Sequence, residues 1–309
     1  MKLLQLSFNV VLSMVILSSI AIGAEKTDAM FLEYKYSFNS SDKFNRDNMP
    51  DQDVTSHLHN INAKVTIPLY RTTAKKPISI FTVFTYDSII TKYRLTEDAD
   101  PVLNSIESLH AVKGALASYV PLGLHKGMFF SIAGGINTDL SQVEKIDSRD
   151  IVTSGNMIFN YKFNTVIFQY GIASTSNFGR PMILPVLGIS YRPNSWFNFN
   201  CIIPYEISLW YLSEIFRSSL YARIKGNQYR LIREDEANNF TISFVTLETG
   251  FSIRYKIWKK LFIFSEGGIH PYRNLTIYNN SNSKTAVIDY SKKITEMLFI
   301  KFGIAYSAI

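Results

Sequence analysis

Cysteine is almost missing from this chain: Cys201 is the only one among 309 residues. A lone thiol excludes an internal disulfide framework. Tryptophan is scarce too, with 3 Trp against 18 Tyr and 22 Phe. Beyond residue 24 no apolar run approaches the roughly 20 residues that a helical membrane span requires, so the mature chain is expected to have no such span. No Pro-, Gly- or Ser-rich linker divides it, which favours one structural unit. A basic cluster is also missing. The formal charge is +7, and about +6 once Lys2 is removed, but the cations are spread along the whole chain. That dispersal argues against a nucleic-acid partner.

What is present begins with the N-terminus. Met1 and Lys2 form a short basic start, residues 10–22 form an apolar run, and Ala21, Gly23 and Ala24 supply small residues for cleavage. Residues 1–24 therefore read as a secretory signal peptide, and residues 25–309 as the mature domain. No lipid-attachment cysteine follows. The first amphipathic segment starts about five residues later, which leaves no room for an energy-coupling box or a plug domain and excludes a TonB-dependent transporter.

The mature chain alternates. In residues 243–260, Val245, Leu247, Thr249, Phe251, Ile253, Tyr255 and Ile257 form one nearly apolar row, and Glu248, Gly250, Ser252, Arg254 and Lys256 form the other. This is period two, the period of a strand. A strand with several charges on its second face cannot have both faces in a dry core, because unpaired buried charges are too costly. One face meets oil and the other water, as in a membrane barrel or, with the faces reversed, a large soluble one.

Context favours the membrane. The same alternation recurs in residues 58–70, 77–90, 109–120, 128–136, 157–161, 166–172 and onwards, separated by connections that alternate short and long. Residues 40–56, 92–107, 137–150, 226–239 and 279–291 read as long loops, and residues 71–76, 123–127, 162–165 and 258–260 as tight turns. Outer-membrane barrels have that rhythm, with both termini on the periplasmic side. Pro204 cannot donate a ladder hydrogen bond, so a turn is placed at residues 203–205 between two strands. The expected fold is a single all-β, antiparallel, up-and-down transmembrane barrel of about 14 strands, with 12 as the alternative count.

The last segment, residues 294–309, is an amphipathic strand with Leu298, Ile300, Phe302, Ile304 and Tyr306 on one face and Lys301 and Gly303 on the other. It resembles the C-terminal signal by which barrel-assembly machinery recognises its clients, although it ends Ala308-Ile309 rather than in Phe or Trp. Residues 185–212, PVLGISYRPNSWFNFNCIIPYEISLWYL, and Gly226-Asn227-Gln228-Tyr229-Arg230 carry a wider resemblance. Through them the chain is similar to a family of Gram-negative outer-membrane β-barrel proteins of unknown function. The resemblance implies outer-membrane lipid and lipopolysaccharide as surroundings, and it supplies no catalytic residues.

Chemistry beyond the wall is sparse. His57 and His59 share a face at a spacing that suits a metal, but they read better as residues at the lipid headgroups. His110, His125 and His270 lie beside no Ser or carboxylate in a nucleophilic pattern. Asp51, Asp53 and the run Glu97, Asp98, Asp100 read as solvated loop tips rather than a calcium site. No enzyme activity, cofactor or metal is expected. The informative residues are those facing the lumen: Lys64, Asp87, Lys113, Arg223, Lys225, Glu248, Arg254, Lys256 and Lys301, joined by Glu206. Charged rings along a pore bias which ions enter. This row, mostly cationic, suggests a passive pore or transporter for small polar or anionic solutes. If the same charges pair across the lumen, the barrel is structural or binds a partner through its loops.

Overall fold

The computed structural model describes residues 28–38, 42–44, 52–74, 77–95, 108–138, 146, 150–176, 181–231, 240–279, 286–289 and 297–307. The expected signal peptide, Asp51 and residues 97–100 lie outside them, whereas Asp53, expected in a loop tip, falls within a strand, opposite Lys43. Fourteen strands build the wall: β1 (Asp28–Phe38), β2 (Gln52–Arg71), β3 (Ser79–Leu95), β4 (Ser108–Pro121), β5 (Lys126–Thr138), β6 (Ile151–Phe163), β7 (Val166–Thr175), β8 (Met182–Tyr191), β9 (Phe197–Ile203), β10 (Glu206–Leu212), β11 (Phe216–Leu231), β12 (Phe240–Trp258), β13 (Leu261–Asn279) and β14 (Met297–Ser307). Two short strands, Asp42–Phe44 and Ala286–Asp289, each pair with one neighbour, β2 and β13 respectively.

Every sequential pair is antiparallel and hydrogen-bonded, and β1 pairs with both β14 and β2, so the sheet closes on itself. Closure removes the edge that an open sheet would present to lipid. The alternation now has a direction. Phe251, Ile253, Tyr255 and Ile257 of β12 are exposed outside, as are Leu298, Ile300, Phe302 and Ile304 of β14, whereas Glu248, Ser252 and Lys301 are buried inside. An apolar exterior and a charged interior reverse the pattern of a soluble barrel. This is a transmembrane barrel of the outer-membrane type.

The turn expected at residues 203–205 is present, with Tyr205 N donating to Ile202 O at 2.7 Å across a cis Ile203–Pro204 bond, so β9 and β10 are separate strands. Several loop boundaries are corrected. β2 begins at Gln52 and β11 runs to Leu231, so parts of residues 40–56 and 226–239 extend the wall instead of forming loops. In the first place no apolar row marks the strand, and in the second the upper part of β11 turns towards the facing wall, where Tyr229 and Arg230 are buried, so its polar residues read as a loop.

Pro271 in the middle of β13 is accommodated by a bulge. Leu247 faces Tyr272 and Thr249 faces Ile269, so His270 and Pro271 together oppose Glu248. The extra residue takes Pro271, which has no N–H, out of the ladder. It also leaves His270 buried, its ring 4.8 Å from that of Phe299, while Tyr272 returns to the lipid face.

Candidate functional site: a buried ion cluster and a pinched lumen

Glu248 stands at the centre of the interior. It comes from the polar row of β12, and its side chain is fully buried. Lys35 of β1 reaches its Oε1 at 2.5 Å, while Lys301 of β14 and Arg223 of β11 both reach its Oε2 at 2.9 Å, and Lys225 lies 3.4 Å away. A second carboxylate, Glu266 of β13, takes Arg223 Nη2 at 2.8 Å, Lys301 Nζ at 3.3 Å and the Tyr221 hydroxyl at 2.8 Å. Glu33 completes the group, 3.9 Å from Lys301. Five neighbouring strands, β11 to β14 and β1, are thus joined from inside. Four cations and three carboxylates nearly neutralise one another, which is what burial at this depth demands.

Small residues let the walls curve around this cluster. At Gly303 a Cβ would lie 2.3 Å from Leu32 O and 2.5 Å from the Phe264 ring, which covers the space instead. An aromatic ring laid over a strand glycine is a recurrent means of bending a barrel wall.

A second set of contacts crosses the lumen. Asn227 of β11 donates to Asp87 Oδ2 on β3 at 3.0 Å, and Lys113 Nζ of β4 donates to Asn227 Oδ1 at 3.4 Å. Asn60 holds the other oxygen of Asp87 at 2.5 Å. β3 and β11 lie six strands apart round the wall in one direction and eight in the other, so facing walls touch. Higher on β11, Asn137 Nδ2 donates to Gln228 O at 2.8 Å, Arg230 pairs in parallel with Thr138, and Arg230 Nη1 bonds Asp150 Oδ2 at 3.0 Å. The upper part of β11 has left its place beside β10 and leans on β5. A cavity of about 90 Å³ remains between cluster and pinch, with Lys35, Asp87, Lys225 and Asn227 in its lining.

Of the residues expected in the lumen, Arg223, Lys225, Glu248 and Lys301 meet in the cluster, and Asp87 and Lys113 meet in the pinch. Lys64 sits between Phe31 and Thr85 in register. Arg254 lies lower, 5.4 Å from the rings of both Trp210 and Phe264, and Lys256 lies near the end with the short turns, opposite Phe262. Glu206 is paired in register with Arg223 and Ile202. Sequence reasoning did not single out Lys35, Glu33, Glu266 or Asn227. Glu33 and Lys35 were legible from the alternation of β1, but Glu266 shares its row with Phe262 and Phe264, which disguise an inward face as an outward one. His57 and His59 are on the lipid side, each 2.7 Å from a tyrosine hydroxyl, of Tyr36 and Tyr34 respectively.

With the geometry in place, the chain can be compared with known proteins. Residues 25–307 match the model of a protein family described as a domain of unknown function (DUF6268). The chain belongs to this family. No curated protein matches the DUF6268 chain. Solved structures similar to it include the TodX monoaromatic hydrocarbon channel in a deltaS2 mutant, at 9% identity and a TM-score of 0.45 over 91% of this chain and 90% of that one. The translocator domain of autotransporter NalP from Neisseria meningitidis is similar at 7% identity and a TM-score of 0.32, covering 99% and 96%. Outer membrane phospholipase A from Escherichia coli is similar at 9% identity and a TM-score of 0.31, covering 91% and 97%.

Proposed function

We propose that this DUF6268 barrel is a non-enzymatic transport protein for small polar, preferentially anionic solutes, closed at rest by contact between its own walls. The observation that carries the reading is the hydrogen bond from Asn227 to Asp87, which joins strands on opposite sides of the lumen. The Asn227–Asp87 and Lys113–Asn227 hydrogen bonds that hold that contact are each worth about 0.5–3 kcal/mol, so it can part while the Arg230–Asp150 pair keeps β11 on β5. Lys64, Arg254 and Lys256 give the path beyond it a positive sign. Outer-membrane lipid and lipopolysaccharide surround the apolar belt, and β14 is the handle for the assembly machinery.

Planar-bilayer recording tests this. The wild-type barrel passes little steady current, and the double variant Asp87→Ala, Asn227→Ala raises the mean conductance about tenfold with a reversal potential favouring chloride over potassium. A variant as silent as the wild type, or one that prefers potassium, overturns the transport reading. Silence would favour the second reading, a structural or partner-binding barrel, for which the internally paired Glu248 cluster speaks.

A further inference from the structure

The wall has a notch on one side. β9 and β10 have only 7 residues each, against 10 in β8, 16 in β11 and 19 in β12. β8 pairs with β9 from Leu187 downwards, and β10 pairs with β11 from Arg223 downwards, with one further bond from Ile224 N to Tyr205 O. Above that level, among the described residues, 182–186 of β8 and 225–227 of β11 keep a strand partner on one side only. Pro204 and Tyr205 form the floor. The leaning of β11 on β5, secured by Asn137, Thr138 and the Arg230–Asp150 ion pair, forms the roof.

The notch lies within the apolar belt. Its outward-facing neighbours are Ile183, Leu187, Ile203, Ile207 and Ile224, all exposed, with Ile183 at 76%. Backbone N–H and C=O groups cannot be left unpaired against hydrocarbon; irregular edges are tolerated at membrane depth only where they line a watered cavity or are covered by protein. Pro185 lies within the single-sided stretch of β8, as expected of an edge that offers fewer donors. On the other edge Lys225 has a side chain 41% exposed, with its ammonium 3.4 Å from Glu248, and both Lys225 and Gly226 border the inner cavity. Below, Arg254 lies over Trp210 at 5.4 Å and Arg217 over Phe262 at 4.5 Å, a lining that combines positive charge with aromatic surface.

We propose that this notch is a lateral portal through which single-chain amphiphiles with an anionic head pass between the membrane and the lumen. The apolar rim receives the chain, Lys225 meets the head at the edge, and the arginine-aromatic lining below accepts both parts. The route lies beside the Asp87–Asn227 contact and does not need it to part. It therefore takes a different class of solute by a different path from the polar one.

Chemical blocking of the folded barrel provides the test. Gly226→Cys in a Cys201→Ser background is reconstituted in nanodiscs and treated with a membrane-impermeant maleimide. The portal predicts labelling about tenfold faster than at Ile253→Cys on the lipid face, since only a watered thiol ionises readily. After capping with a bulky biotin maleimide, binding of 11-(dansylamino)undecanoic acid weakens about tenfold. Its uncharged methyl ester binds the uncapped protein weakly. In a quadruple variant that also carries Asp87→Ala and Asn227→Ala, the conductance is read before capping, which separates failure of this route from failure of the polar one. Ile203→Cys, at the floor of the notch, replaces Gly226→Cys if that variant does not form a heat-modifiable barrel. Labelling no faster than at Ile253→Cys, unaltered binding after capping, or equal binding of acid and ester each overturns the proposal.

Discussion

Replacing Glu248 with alanine is expected to cost the barrel about 3–5 kcal/mol of stability, the range for removing one partner from a buried ionic group. Four cations converge on this carboxylate, Lys35, Arg223, Lys225 and Lys301, and the side chain is wholly buried. Without it, the interior keeps an excess of positive charge that Glu266 and Glu33 cannot neutralise. The measurement is the urea midpoint for loss of heat-modifiable migration in detergent. Removing charge of both signs should repair part of the damage: Glu248→Ala with Lys301→Met is expected to be more stable than Glu248→Ala alone. A double-mutant cycle with no coupling between these two positions would mean that the cluster is not a unit.

Phe302→Arg carries the second large effect. Phe302 is 51% exposed on the outer face of β14, between Tyr34 of β1 and Ser265 of β13 in register. An arginine on the lipid face costs about 2–4 kcal/mol at the bilayer midplane, falling towards the interfaces. One residue earlier the same β14 places Lys301 inside without penalty, because the cluster pairs it. Lys256→Gln, near the end with the short turns, should shift the midpoint by less than about 0.5 kcal/mol. If Phe302→Arg unfolds no more readily than Lys256→Gln, the assignment of the outer face is wrong.

Much of this architecture was legible because a barrel wall has period two and each strand has to obey it. Residues 243–260 alone show the two rows of β12, and Glu248 and Ser252 of the polar row are buried inside. The separation of β9 from β10 followed from Pro204. Legibility failed where the physical constraint relaxed. Polar residues 52–57 extend β2 past its apolar row, and residues 227–231 of β11 turn towards the facing wall, so no outward apolar row marks either. Period two predicts which way Glu248 and Lys301 point but not that they meet, since contact depends on how tightly the wall curves between them. Asn227 was read as the start of a loop. Its role as a bridge to Asp87 arises from the departure of β11 from β10, which joins residues distant in sequence and leaves no local pattern.

That departure also divides the wall into two parts of different character. Through the Arg230–Thr138 pairing, the succession of paired strands from β11 to β14 and β1 to β5 returns to β11 without β6 to β10. The intervening strands are a lobe hung between two fixed posts. Trimming a hairpin from such a lobe, between residues 151 and 212, is therefore expected to leave the ion cluster and the ring in place. The ring carries the ion cluster and the contact across the lumen, and the lobe carries the short strands β9 and β10 beneath the notch.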